Sequence, residues 1–288
     1  MSSRPPLPHF DQRQRTLLGE WLPGADLVED LSWGLVESAV LHVRSNERDL
    51  IVKAGGPDNH HLAREISAHA VITPLIEEGL AAFLRSADAE RRIMVLDYLP
   101  GSLVDGGEAE TDQEILRQAG HVLGMLHGLG SATDESLERN LYRAALKWLK
   151  KPHNIPEPQA SLARKYLTEH EPGPVIVVPS HGDYSGRNWL VHEGKLRVID
   201  FGRFGCRPAH HDFLRMFFRR WHDHPGQSTS FFEGYGRQAI DFGDYSWWIE
   251  VLREAVATAA WSRAVGDETF ELLGLRFVDV ALNHLDSR

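Results

Sequence analysis

His181-Gly182-Asp183-Tyr184-Ser185-Gly186-Arg187-Asn188, with Val198-Ile199-Asp200-Phe201-Gly202 behind it, is the stretch on which the reading of this chain turns. An Asp is followed five residues later by an Asn, and a second Asp ends an apolar strand. Asn188 and Asp200 lie 12 residues apart, enough for a strand, a tight turn at Glu193-Gly194 and a returning strand. Such a hairpin brings their two oxygens together. Hard oxygen donors of this kind suit Mg2+ beside a nucleotide's phosphates. Asp183, on the loop before the hairpin, is placed to meet an incoming hydroxyl.

Phosphoryl transfer asks a protein for positioning, and for positive charge where the phosphoryl group moves. The cation expected opposite this loop is Lys53, which ends the apolar strand Leu50-Ile51-Val52. A lysine buried beside a strand needs a carboxylate, and Glu65 on the next helix is the natural partner. The Gly55-Gly56-Pro57 turn and two helical turns fit between them.

Working outward, residues 10–22 read as a helix closed by Pro23-Gly24. Ser38–Arg44 and Leu50–Ala54 read as strands joined at Ser45-Asn46-Glu47. His61–Leu80 reads as one helix, and strands follow around Ala82–Leu84 and Arg92–Leu96. Beyond Gly107 the period changes. Ile115, Leu116, Ala119, Val122, Leu123 and Leu126 recur at helical spacing within 112–129. Helices are expected at 134–150, 158–170, 209–222, 228–238, 245–265 and 268–285, with a strand at Val175–Val178. A β-rich part followed by a mainly helical one is α+β organisation. The expected division is a nucleotide-binding N-terminal lobe at 1–97 and a helical C-terminal lobe at 98–288, which carries the catalytic loop and substrate site.

The HGDYSGRN and IDFG stretches together resemble the aminoglycoside phosphotransferase family, small-molecule kinases related to the protein kinases. Leu123-Gly124-Met125-Leu126-His127 is similar to the helix before that family's catalytic loop. Leu96-Asp97-Tyr98-Leu99-Pro100-Gly101 resembles its inter-lobe hinge, and Arg64-Glu65 the start of its small-lobe helix. The resemblance implies a bilobal, protein-kinase-like α+β fold that uses ATP and Mg2+. It implies that Asp183 orients and deprotonates the acceptor hydroxyl and that Asn188 and Asp200 bind Mg2+. Lys53 would hold the α- and β-phosphates, Glu65 would fix Lys53, and the backbone at Asp97 and Leu99 would bind adenine. The implied activity is O-phosphorylation of a small molecule, first of all an aminoglycoside or related cationic antibiotic, giving resistance. The alternatives are a metabolic kinase for an amino alcohol, a sugar or a homoserine-like compound, and a pseudokinase that binds nucleotide only.

Several residues depart from the kinase pattern. Gly182 stands where protein kinases carry Arg, and no Ala-Pro-Glu follows Asp200, which points away from protein substrates. No G-x-G-x-x-G covers the phosphates, the region reading Trp33-Gly34-Leu35-Val36-Glu37-Ser38. Ser185 replaces the usual Lys, and Arg187 is the candidate to supply positive charge near the γ-phosphate. Ile240-Asp241-Phe242-Gly243 repeats IDFG without the preceding strand or HGD loop, and reads as a turn between helices. Trp247, Trp248 and Trp261 read as core, with Glu254 and Asp267 as candidate carboxylates for a cationic acceptor. His60-His61, His210-His211 and His222-Asp223-His224 invite a zinc reading, but no Cys or H-E-x-x-H spacing accompanies them. They read as solvated or core histidines. Asp212 resembles a structural position of the family.

The 31 basic residues against 41 acidic ones give −10, a field that repels nucleic-acid backbones and attracts small cations. Residues 233–288 hold ten Asp and Glu against five Lys and Arg. No run approaches the roughly 18 apolar residues of a membrane span. MSSRPPLPHFDQRQR lacks the apolar core of a secretory signal. With Cys206 the single cysteine, no internal disulfide framework is possible. The expected setting is the cytoplasm, with a small-molecule substrate and no nucleic-acid, membrane or protein partner.

Overall fold

The computed structural model describes residues 10–32, 38–237 and 240–287. The chain divides into two compact units. One comprises residues 1–129, 179–206 and 229–236, the other 130–178, 207–228 and 237–288.

The first unit opens with helix α1 (Gln12–Trp21) and a five-stranded antiparallel sheet. Its strands are β1 (Asp26–Asp30), β2 (Ser38–Ser45), β3 (Arg48–Gly55), β4 (Leu84–Asp88) and β5 (Ile93–Asp97), in the order β1-β2-β3-β5-β4. The β2–β3 turn is Asn46-Glu47, both at positive φ, the two-residue geometry whose twist matches a hairpin. Alternation along β3 decides what each face does. Leu50, Val52 and Ala54 point to a core shared with Phe10 and Leu18. Ile51 lies on the opposite face, with Leu62, Ile66, Met94 and Leu96, and the period of two puts Lys53 there too.

That second face is covered by α2 (His61–Val71), whose buried residues include Leu62, Glu65 and Ala68. The single helix expected over 61–80 is broken at Ile72, and α3 (Thr73–Glu77) begins anew. Pro74 is the reason, since it has no N–H and its ring clashes with the carbonyl four residues back. β1 was not legible in the sequence. All five of its residues are exposed and three are acidic, so it carries no apolar alternation.

Strand β6 (Ser102–Leu103) and the hairpin β9 (Trp189–His192) and β10 (Lys195–Val198) form a three-stranded sheet turned at Glu193-Gly194, as expected. Helix α4 (Gln113–His127) buries the six apolar residues at helical spacing. Gly120 and Gly124 let its backbone touch the end of α8 (Gly226–Tyr235). A Cβ on Gly120 would lie 1.9 Å from the Phe231 carbonyl oxygen, and one on Gly234 would lie 1.8 Å from that of Arg117.

The second unit contains β7 (Ala132–Asp134), α5 (Leu137–Trp148), α6 (Glu157–Glu169) and most of β8 (Val175–Ser180), which pairs antiparallel with β7. After β11 (Gly205–Arg207) come α7 (His210–Met216), a π-helical turn at Phe217–Trp221, α9 (Tyr245–Val265) and α10 (Glu268–Asp286). Trp247 and Trp248 are buried, and Phe217 packs against both. Asp241-Phe242-Gly243 is a turn before α9, not a second metal loop. Among the described residues no helix is long and apolar enough to cross a membrane.

Candidate active site

The first unit brings together Lys53, Glu65, Asp183, Asn188, Asp200 and Arg187. Lys53 Nζ donates to Glu65 Oε1 at 2.7 Å and lies 3.9 Å from Asp200 Oδ1. Burial pulls Lys53 down, but Glu65 and then Asp200 outweigh it and leave its pKa above the ordinary value. Desolvation raises Asp200, but Lys53, His181 and the Gly202 N–H together hold it below the usual carboxylate range. A lysine cation and an Asp200 carboxylate therefore face each other at neutral pH.

The loop is held by its own backbone groups. His181, fully buried, donates from Nε2 to the Ile199 carbonyl, while its Nδ1 accepts from the Asp183 N–H at 3.3 Å. These partners fix the imidazole tautomer and the place of Asp183. Gly182 sits at φ +79, where a side chain would be strained. Tyr184 is driven into the core, its hydroxyl donating to the Ala119 carbonyl at 2.7 Å. Asn188 Nδ2 donates to the Asp183 carbonyl at 2.8 Å, which presents the amide oxygen as the atom to offer a cation. Asp200 adopts a left-handed conformation (φ 63), uncommon for a non-glycine residue but tolerated by Asp better than by most. Its side chain is 52% exposed.

Asn188 and Asp200 thus offer oxygen atoms only, and Lys53 stands beside Asp200 as a positive charge. This donor set fits a hard divalent ion such as Mg2+ with a polyphosphate.

Arg187 ion-pairs with the Asp183 carboxylate. Arg203 Nε stands 3.9 Å from the same oxygen. The sequence reading missed Arg203, whose one signal was a basic residue directly after Asp200-Phe201-Gly202. It also missed His61, whose Nδ1 bonds the Gly202 carbonyl at 3.0 Å and ties α2 to that turn.

Asp97 ends β5. Its N–H is taken by the Phe83 carbonyl at 3.0 Å, and its side chain is clasped by Arg85 through two bonds. Of its backbone groups only the carbonyl can be offered to an adenine. Leu99 follows, half-buried. Glu254 and Asp267 belong to the second unit, where both have other work. Glu254 pairs with Arg215 at 3.4 Å, and Asp267 caps α10 by accepting from the Phe270 N–H. Residues 33–37, where a phosphate-covering glycine loop was sought, lie outside the described residues.

The sequence profile of the Phosphotransferase enzyme family matches residues 28–250. The chain belongs to this family. A sequence search among curated proteins finds no match. Among solved structures, this phosphotransferase is similar to aminoglycoside phosphotransferase APH(4)-Ia, solved with ADP and hygromycin B. That likeness has 15% identity and a TM-score of 0.70, covering 94% of this chain and 98% of that one. It is also similar to spectinomycin phosphotransferase APH(9)-Ia with ADP and its antibiotic (14%, TM-score 0.56, 96% and 97% covered). Choline kinase LicA from Streptococcus pneumoniae is a third (16%, TM-score 0.65, 95% and 98% covered). At such identities the likeness shows the fold. The phosphotransferase is α+β and kinase-like, with the antiparallel sheet in its N-terminal part and helices in its C-terminal part.

Proposed function

We propose that this phosphotransferase moves the γ-phosphoryl group of ATP, with Mg2+, to a hydroxyl of a small molecule, first of all an aminoglycoside or related cationic antibiotic. The observation that carries the reading is the convergence of Lys53–Glu65, Asp183, Asn188 and Asp200 within one unit. Asp183 accepts the acceptor's proton as the hydroxyl oxygen bonds phosphorus and ADP departs with the bridging electron pair. Lys53, held by Glu65, binds the α- and β-phosphates. The Asp97 carbonyl and the Leu99 backbone bind adenine where a nucleotide-binding lobe, which we place at 1–97, ends. Asn188 and Asp200 would hold Mg2+, which neutralises charge on the phosphates when bound.

The choice of a cationic acceptor rests on the net charge of −10 and the acidic balance of residues 233–288. The aminoglycoside phosphotransferases of similar fold are in keeping with it. A choline kinase of equally similar fold favours an amino alcohol as the second reading. The intact Asp183, Asn188 and Asp200 weigh against a pseudokinase. The deciding experiment is a mass-spectrometric screen of protein, Mg2+ and ATP with aminoglycosides, other antibiotics, amino alcohols and sugars. A single added phosphoryl group on one compound is the expected result. ATP binding with no product on any acceptor would turn the assignment toward a binding protein.

Arg187 stands four residues beyond Asp183 and pairs with it, so it orients that carboxylate and places positive charge beside the reacting oxygens. Arg187→Ala is expected to lower kcat by about 10²-fold, the effect of removing one preorganised electrostatic group, with nucleotide affinity little changed. Steady-state kinetics at saturating ATP measure this, and unchanged turnover would remove Arg187 from the reaction.

A further inference from the structure

Helices α5, α7 and α9 of the second unit each turn a carboxylate or imidazole toward one point. Glu138 in the first turn of α5, His210 and His211 opening α7, and Glu250 on α9 place ligand atoms all within 4.8 Å of one another. Glu138 is 4% exposed, and among the described residues neither of its carboxylate oxygens has a hydrogen-bond partner. Its nearest basic group is His210 Nε2 at 4.0 Å. That nitrogen is 3.4 Å from Glu250 Oε2, and it too lacks a hydrogen-bond partner among the described residues. A buried carboxylate with both oxygens unsatisfied is a costly arrangement.

Charge sharpens the point. Two buried carboxylates share the cluster with the Arg253 guanidinium, whose Nη2 and Nε donate to Glu250 Oε2 at 2.7 and 2.9 Å. Tyr142 donates to the other oxygen of Glu250 at 2.6 Å. Among the described residues Glu138 has no ion pair shorter than that 4.0 Å approach of His210. His211 Nε2 accepts from Arg253 Nη2 at 3.0 Å, so His211 braces the guanidinium behind the cluster. In front lies a cavity of about 330 Å³, lined by Glu138, His210, Glu250, Trp247, Asp241 and Asp244, with room for water.

We propose that Glu138, His210 and Glu250 form a binding site for one Zn2+ ion, with the cavity supplying water at its open position. A mixed imidazole–carboxylate set selects a borderline ion over Mg2+, which takes oxygen ligands. Zinc bonds of about 2.0–2.2 Å place tetrahedral ligand atoms roughly 3.4 Å apart. His210 and Glu250 are already at 3.4 Å, and Glu138 needs to approach by about half an ångström. The ion would join three helices that no local sequence spacing links. That is why His210-His211 reads as unremarkable along the chain. The site is built from none of the phosphoryl-transfer residues and stands whether or not that function holds.

The test uses the full chain, stripped with chelator, equilibrated with Zn2+ and dialysed. Metal content is read by mass spectrometry, and Co2+ substitution is followed in the visible spectrum. One retained equivalent is expected, with the intense bands of low-symmetry Co2+. Glu138→Gln and His210→Gln should each weaken Zn2+ binding at least tenfold, while His224→Gln leaves it unchanged. Glu138→Gln keeps the shape of the buried side chain and breaks no hydrogen bond seen among the described residues, so its metal-free melting temperature should not fall. His210→Gln, at a partly exposed side chain, gives a second folded variant. No retained zinc, or zinc held equally well by both variants, overturns the proposal.

Discussion

Asp183→Ala should bind Mg-ATP as the native protein does and lose transfer by about 10²–10⁴-fold, the range a positioned general base supplies. The fold gives reason to expect a clean loss. Asp183 is held in place by its backbone, through its N–H to His181 and its carbonyl to Asn188, and neither bond needs the carboxylate. Its side chain is nearly buried, so bulk water cannot take over the proton. Arg187 is part-exposed and can turn to solvent when its partner is removed. Single-turnover transfer to whichever acceptor the screen finds, with calorimetry of nucleotide binding, measures the two halves separately. Normal transfer by Asp183→Ala would overturn the assignment of the base. Loss of both transfer and nucleotide affinity would mean that Asp183 shapes the nucleotide site as well.

The second large effect concerns stability. Gly120→Ala is expected to destabilise the protein by about 3 kcal/mol or more, above the usual cost of overpacking. The added Cβ would meet backbone, at 1.9 Å from the Phe231 oxygen and 2.8 Å from the Tyr235 nitrogen, so no side chain can rotate away. The neighbours cannot yield without separating α4 from residues 229–236, and with them the His127 Nδ1 to Tyr235 hydroxyl contact of 2.8 Å. Gly19→Ala is the matched control. It too lies within a helix, with nothing among the described residues within 4 Å of an added Cβ, and should be neutral or stabilising by up to about 1 kcal/mol. Thermal and urea unfolding of both variants decide the matter. Equal melting temperatures would show that the two segments do not make this close approach.

How much of this was legible follows from the range of the interactions. His181 to Gly202 is a local loop and hairpin, so residue types and spacing along one short stretch could be read as one group. Lys53 and Glu65 could be matched because alternation in β3 fixes a face and one turn separates strand from helix. The approach of α4 and α8 could not. Gly120 and Gly124 stand in a helical period, but their meaning lies in a segment over a hundred residues away. β1 escaped because an exposed edge strand such as Asp26–Asp30 needs no apolar face. The break at Ile72 is legible in Pro74, but the apolar pattern runs on past it and favours a single helix. Arg203 and Glu138 meet their partners only in three dimensions.

The chain passes from one unit to the other at residues 129–130, 178–179, 206–207, 228–229 and 236–237. Neither unit is an uninterrupted length of polypeptide, so neither can be inherited, cloned or shed as a cassette. A stop codon anywhere before residue 229 deprives both of material. Adding or removing a length of chain at any one of these junctions therefore breaks a unit rather than gaining or losing one whole.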